Sequence, residues 1–378
     1  MVTILKRKEV NMKSIDNQET LFGIEETGNL VADKENEEEY YFYYKSSNRE
    51  IVPCVDKEKN ELAKVKLEQI FTQNLEDIPK IYRENKERVK LYNPKGDIDK
   101  ANAIILNVED GAYSLVNKLN CMTGKEWTKF TCSWFIFNAL QSDLKEERAV
   151  TATTAEHPAT YSPTMVSEFI RYFTKEGQNV LDPFSGIGST LVGCERTGRV
   201  GYGIELNPKY YDVICKRVPQ FAKNVYNDDC RNIDKLSFPK IHYSISSPPY
   251  WDVLNRSTDG FKKERETKGL DVKYSDSYKD LGNINDYDEF LEEVCSVYLK
   301  MYDILAEGAY ITIIVKNVKK GGKLYPLAWD MARILSEKYV LKDEKIWIQD
   351  KIGLSPYGYP NSWASNILHH YCLILRKE

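Results

Sequence analysis

The chain has 378 residues, 42% hydrophobic and 29% charged, which gives it material for a sizeable core and length for about two or three domains. A peptide-sized or disordered protein is excluded. Lys and Arg total 53 against 57 Asp and Glu, a net charge of -4, so there is no global basic signal for nucleic acid; a neutral body can still carry a basic groove.

The charge deficit lies entirely in residues 1–50, where an acidic run from Glu35 meets clustered tyrosines, and residues 1–55 are expected to form a weakly ordered acidic head. Lys6-Arg7-Lys8 is followed by polar residues instead of a signal-peptide core, and no apolar run has the length of a membrane span. The eight cysteines form no Cys-x-x-Cys pair and have no nearby His to complete a zinc site. Free thiols, no metal and a cytoplasmic location are expected.

From Glu61 to about Lys90 apolar residues recur at helical spacing (Leu62, Val65, Leu67, Ile70, Phe71, Leu75) and stop before the turn cluster Asn93-Pro94-Lys95-Gly96, which predicts a mainly helical accessory region over 56–118. Trp127 to Leu140 is rich in aromatics and reads as core packing ahead of a base-stacking platform. After Gln178 strands and helices alternate, the pattern of an α/β domain with a mostly parallel sheet, here given the bounds 119–378. Strands are predicted at 179–184, 199–205, 223–227, 241–246 and 309–315, and helices at 189–197, 207–219, 286–305 and 325–337. Two apolar runs, Lys345–Trp347 and Ile367–Leu375, would close the sheet.

The first predicted strand runs through Asp182-Pro183-Phe184 into Ser185-Gly186-Ile187-Gly188-Ser189-Thr190. Gly186 and Gly188 let a ligand approach the backbone, and Glu205, at the end of the next strand, is placed to accept from ribose hydroxyls. The glycines alone read equally as a tight strand-to-helix connection. A dinucleotide site wants a third Gly or Ala where this chain has Leu191, and the Asp182 carboxylate would repel a phosphate. S-adenosylmethionine, with its sulfonium and α-amino group, fits better; the competing reading of Asp182 is a turn cap. Asp229, favoured over Asp228, is placed to bind an adenine amino group, with a solvated turn as the alternative.

The fourth strand ends in Ser247-Pro248-Pro249-Tyr250. Two prolines stiffen this loop, so the Ser247 hydroxyl and the Pro248 carbonyl can both accept from one amino group while Tyr250 offers a face for stacking. An exocyclic base amine has a delocalised lone pair, and two acceptors drawing its hydrogens out of plane prepare it for methylation.

With both motifs, the sequence resembles the DNA amino-methyltransferases that modify cytosine N4 or adenine N6, over roughly residues 125–378. The resemblance implies a Rossmann-like, seven-stranded, mostly parallel α/β sheet with helices on both faces. It also implies that Asp182 to Thr190 bind S-adenosylmethionine and that Ser247, Pro248, Pro249 and Tyr250 are catalytic. His157 to Pro163, including Thr160 and Tyr161, looks like the family segment beside the methionine moiety, and Tyr371 to Lys377 looks like the last strand. The glycine turn departs from the frequent Gly-Ser-Gly-Thr-Thr, and the cofactor motif precedes the catalytic one, the reverse of many members with Ser-Pro-Pro-Tyr.

Ser at 247 is associated in this family with cytosine N4, which puts that base ahead of adenine N6; an RNA base amino-methyltransferase is the other alternative. The expected substrate is double-stranded DNA with the target base flipped out, and a restriction endonuclease can be the partner of such an enzyme. Between the catalytic motif and the next helix, a loop over 254–285 holds Arg256, Lys262 and Lys263 among interspersed acids. Lys316 to Lys323, with Lys319 and Lys320, has little acidic dilution and is the better candidate for phosphate contact.

Overall fold

A computed structural model of the chain describes residues 42–45, 50–53, 57–72, 89–92, 102–107, 111–114, 117–137, 161–251 and 277–378. The chain divides into two compact units, Met1–Thr131 and Cys132–Glu378. Among the described residues no helix is long and apolar enough to cross a membrane.

In the first unit β1 (Phe42–Lys45) pairs antiparallel with β2 (Glu50–Pro53), and α1 (Lys57–Thr72) follows. Residues 1–41 of the expected acidic head lie outside the described residues. β3 (Val89–Tyr92), β4 (Asn102–Asn107) and β5 (Gly111–Ser114) form an antiparallel sheet with β4 central. The expectation of a mainly helical 56–118 therefore holds at α1 and is corrected from residue 89. Val89 and Leu91 alternate onto one face of β3 and are both buried, and Ile104-Ile105 is a β-branched pair in a run too short to nucleate a helix. α2 (Gly124–Phe130) opens with a capping box, Thr123 accepting from the Glu126 amide and Glu126 from the Thr123 amide.

The second unit begins with β6 (Trp134–Ile136) and α3 (Pro163–Phe173), the latter started by the Ser162 cap and by Pro163 in its first turn. Next come β7 (Asn179–Asp182), α4 (Ser189–Thr197), β8 (Val200–Ile204), α5 (Pro208–Arg217), β9 (Val225–Tyr226) and β10 (Ile241–Ser246). α6 (Tyr287–Met301), β11 (Leu305–Val315), a hairpin of β12 (Val318–Lys320) and β13 (Lys323–Tyr325), α7 (Leu327–Leu335), β14 (Val340–Ile348) and β15 (His369–Arg376) complete it.

These strands form one sheet in the order β6-β14-β15-β11-β10-β7-β8-β9. The five from β11 to β9 run parallel, and β15 lies antiparallel between β11 and β14. The seven expected strands are all present, and β6 adds an eighth beside β14. Its sequence is the aromatic stretch read as packing: Phe135 meets Phe169 edge to face at 5.8 Å, while Trp134 is 51% exposed.

The central strands are apolar on both faces, as burial under helices requires: Val180, Leu181, Tyr243, Ile245, Ile311 and Ile313 are all buried. Polar groups among them are paired, Tyr243 donating to Thr312 Oγ1 at 2.8 Å and the Ser246 and Tyr298 hydroxyls meeting at 2.8 Å. From β7 the chain winds outward through β8 and β9, then returns to lay β10 on β7's other side. The carboxyl ends of β7 and β10 therefore flank a switch point, where open α/β sheets hold their ligands.

Candidate active site

At that switch point lies a cleft of about 920 Å³, counted to its open mouth. Its walls include Tyr161, Phe184, Gly186, Ser189, Glu205 and Tyr250. The two motifs read from the sequence thus face one space, although about sixty residues of chain separate them.

Asp182 ends β7 fully buried. Its Oδ2 accepts from Tyr161 at 2.7 Å and Thr190 at 2.6 Å, and Oδ1 accepts from the Phe184 amide at 3.0 Å. Burial pushes its carboxyl up to about 6 against the lowering effect of those bonds. Asp182 is a knot beneath the cleft, and it does not line it. Neither do Gly188 and Thr190, whereas Pro183, Phe184, Gly186 and Tyr161 do. Thr160 lies outside the described residues.

Gly186 and Gly188 have φ of 55° and 85°, conformations that admit glycine at no steric cost. A side chain at Gly188 would also meet Ile214 at 3.1 Å. Glu205, at the end of β8, accepts from the Gly186 amide at 2.7 Å and the Asn207 amide at 2.8 Å. Burial raises its carboxyl to about 8, helped by the charges of Asp182 and Asp280 and opposed by the two amides. One glycine behind this turn went unread in the sequence: a Cβ at Gly203, in β8, would lie 2.3 Å from Ser185 Oγ, so glycine lets β8 pass this close behind the turn.

Asp228 and Asp229 both line the cleft. Asp229 is engaged by Arg231, whose Nη2 donates to Oδ2 at 2.7 Å and whose Nε donates to Oδ1 at 3.0 Å. Burial would raise its carboxyl, but the Arg231 bonds and charge outweigh it and hold the group below the usual range. Asp228 Oδ1 accepts from the Asp229 amide at 2.7 Å and from Asn232 Nδ2 at 3.0 Å.

On the opposite wall the Ser247 and Tyr250 hydroxyls share a hydrogen bond of 2.7 Å. Ser247, Pro249 and Tyr250 line the cleft, and Pro248 is buried. Behind Tyr250, at 5.9 Å between ring centroids, sits His370, itself stacked on Trp347 at 4.2 Å. Burial first, then the charges of Lys316 and His369, hold His370 well below its usual pKa, so the ring is neutral. Trp251 turns away with φ 54° into a cluster with Tyr287 and Tyr325, where Lys320 covers its ring at 4.1 Å. Lys319 reaches Ser365 Oγ at 3.0 Å. Lys319 and Lys320 of the β12–β13 hairpin thus make contacts inside the protein; Arg256, Lys262 and Lys263 lie outside the described residues.

The cleft suits S-adenosylmethionine on two counts. Glycines leave the turn open to a ligand, and Ser189 Oγ on the cleft wall is buried without a hydrogen-bond partner among the described residues. No group of His, Cys, Asp and Glu among the described residues is arranged to hold a metal.

Comparison with known proteins places these observations in a family. The profile of a DNA methylase family, the N6/N4 type, matches residues 4–216, more than half of the chain, and ends before Ser247. The chain is 41% identical over 69 residues to the Type II methyltransferase M.Cfr9I of Citrobacter freundii, covering 18% of this chain and 23% of that protein. It is 26% identical over 154 residues to M.MjaII of Methanocaldococcus jannaschii, covering 34% of this chain and 28% of that protein. The chain thus spans about a quarter of the curated relatives it matches. Among solved structures, a DNA modification methylase of Thermus thermophilus is 24% identical, covering 39% of this chain and 50% of that one at a TM-score of 0.27. An rRNA methylase of Clostridium thermocellum is 15% identical, covering 58% and 98% at a TM-score of 0.36.

Proposed function

The chain belongs to the N6/N4 DNA methylase family, whose methyl donor is S-adenosylmethionine, and on that premise we propose that it methylates the exocyclic amine of a flipped base in double-stranded DNA, cytosine N4 ahead of adenine N6. The observation that carries this reading is the convergence of the glycine turn and the Ser247–Tyr250 loop on one cleft.

In this proposal Phe184, Gly186, Ser189 and Glu205 hold the cofactor. Asp182, Thr190 and Tyr161 fix the turn from below, and Asp229 takes the adenine amino group. The cofactor supplies an electrophilic methyl carbon on a sulfonium. Ser247 Oγ and the Pro248 carbonyl accept the amine hydrogens, turning the nitrogen lone pair out of the ring plane, and Tyr250 stacks on the base. The bond between the Ser247 and Tyr250 hydroxyls supports this division of labour, since it fixes the acceptor relative to the stacking ring. Phosphate contact by Lys319, Lys320 and the 254–285 loop belongs to the same proposal, as does a restriction endonuclease partner, in keeping with the Type II names of the relatives.

Incubation of the protein with S-adenosylmethionine and mixed-sequence DNA or RNA, digestion to nucleosides and mass spectrometry tests the reading. N4-methylcytosine in DNA is the expected product. N6-methyladenine would retain the mechanism and refute the inference from Ser247, and label confined to RNA would transfer the chain to the RNA alternative.

A further inference from the structure

β14 and β15 pair antiparallel from Val340↔Arg376 to Ile348↔His369, and β15 runs opposite to β11 with Val315↔Tyr371. The loop joining them, residues 349–368, therefore leaves the sheet at the carboxyl ends of the parallel strands, the same edge that carries Ser247. Where the loop re-enters the sheet it meets the cleft: His370 backs Tyr250 at 5.9 Å.

This loop is built to present aromatic side chains to its surroundings. Leu354 is 73% exposed, Tyr359 82% and Trp363 88%, with Ile352 and Tyr357 also exposed. Its conformation is fixed from within. Asn366 closes the base, its Oδ1 accepting from the Ser355 amide at 2.9 Å and its Nδ2 donating to the Ser355 carbonyl at 2.8 Å. At the tip the Ser362 amide donates to the Gly358 carbonyl at 2.7 Å, and Gly358 has φ 79°. Lys319 ties the flank of the loop to the basic β12–β13 hairpin through Ser365. A rigid loop that holds large apolar rings in water is a binding surface, because collapse onto the body would otherwise cover them.

Charge selects the occupant. The one acid of the loop, Asp350, adjoins Lys351, residues 352–368 contain no Asp or Glu, and the neighbouring hairpin contributes Lys319, Lys320 and Lys323. Flat aromatic rings beside a lysine-bearing hairpin suit the faces of unpaired bases next to a polyphosphate backbone. We propose that the loop from Ile352 to Trp363 is a DNA-contacting prong whose Tyr359 and Trp363 stack on bases exposed when the target base leaves the duplex. The inference rests on the proposed DNA substrate and adds to it the element that holds the opened duplex.

The test uses the full chain with fragmented genomic DNA and labelled S-adenosylmethionine, comparing wild type with Tyr359→Ala, Trp363→Ala and Trp363→Phe. Loss of base stacking raises the KM for duplex DNA at least about fivefold in each alanine variant, leaves S-adenosylmethionine affinity by calorimetry unchanged, and is largely reversed by phenylalanine. Both side chains stand in water, so their truncation leaves the core intact, and the calorimetry checks the fold. An unchanged KM in both alanine variants overturns the prong while leaving the methyltransferase reading in place. Absence of DNA methylation by the wild type overturns that reading and this inference with it. Conversion of an oligomer to a monomer by either alanine variant, read by sedimentation, overturns the proposal in favour of a contact between copies of this chain.

Discussion

Glu205 keeps its proton to about pH 8 while accepting two backbone amides, because burial outweighs them. Ribose hydroxyls donating to it would favour the ionised form, so cofactor binding should release a proton and affinity should rise with pH until about 8, then level off. Calorimetric affinities between pH 6 and pH 9 in buffers of different ionisation enthalpy check this; a flat profile would remove Glu205 from the ribose site. The same raised carboxyl lowers stability as pH climbs, since between the ordinary carboxylate range and about 8 the folded chain holds a proton that the unfolded chain has lost. Across the cleft, Ser247→Ala and Tyr250→Ala should each lower methyl transfer about a hundredfold, the cost of a misplaced reactant, with calorimetry showing cofactor affinity intact. Gly203→Ala should act without touching ligand: its methyl group would displace the Ser185 hydroxyl from the Asp182 carbonyl, which it bonds at 2.8 Å, and lower stability by about 1–3 kcal/mol in urea titration. Gly186 and Gly188 could be read from spacing along the chain. Gly203 could not, because its reason is a residue on a neighbouring segment that only folding brings within 2.3 Å.

At the scale of elements, the unit β7–α4–β8 was legible almost to the residue, since an apolar strand, a glycine turn and a helix capped by Gly198 at φ 69° each leave local marks. β10 and its proline exit were legible for the same reason. The β12–β13 hairpin was read only as a lysine-rich segment, although Gly321-Gly322, with φ of 58° and 75°, is a two-residue turn that the sequence displayed. α3 was also unread, and its fastening is tertiary. Arg199, buried before β8, donates from Nε to Thr174 Oγ1 at 3.0 Å and from Nη2 to the Thr174 carbonyl at 2.7 Å, binding the end of α3 to the sheet. Arg199→Met should cost about 2–3 kcal/mol, the worth of hydrogen bonds to a charged donor, measured as a lowered urea midpoint. Arg199→Lys should recover little, because an ammonium cannot span both partners with the same fork.

For the whole molecule, every described residue lining the cleft falls between Tyr161 and Leu281, inside the unit that begins at Cys132. A fragment of residues 132–378 should therefore bind S-adenosylmethionine with the affinity of the full chain, by calorimetry; a loss greater than about tenfold, or roughly 1.4 kcal/mol, would show that residues 1–131 complete the site. The sheet's arrangement was legible from the alternation of elements, but its eighth strand was not, because β6 has three residues and finds its partner only in β14. That pairing has a consequence for synthesis. β6 leaves the ribosome early, yet β14 and the inserted β15 must both arrive before it can join the sheet. Closure therefore depends on contacts distant in sequence, the slow class of folding event. The aromatic loop between β14 and β15 takes its place in the same final step, so a nascent chain displays its most adhesive surface only once the rest of the sheet can be complete.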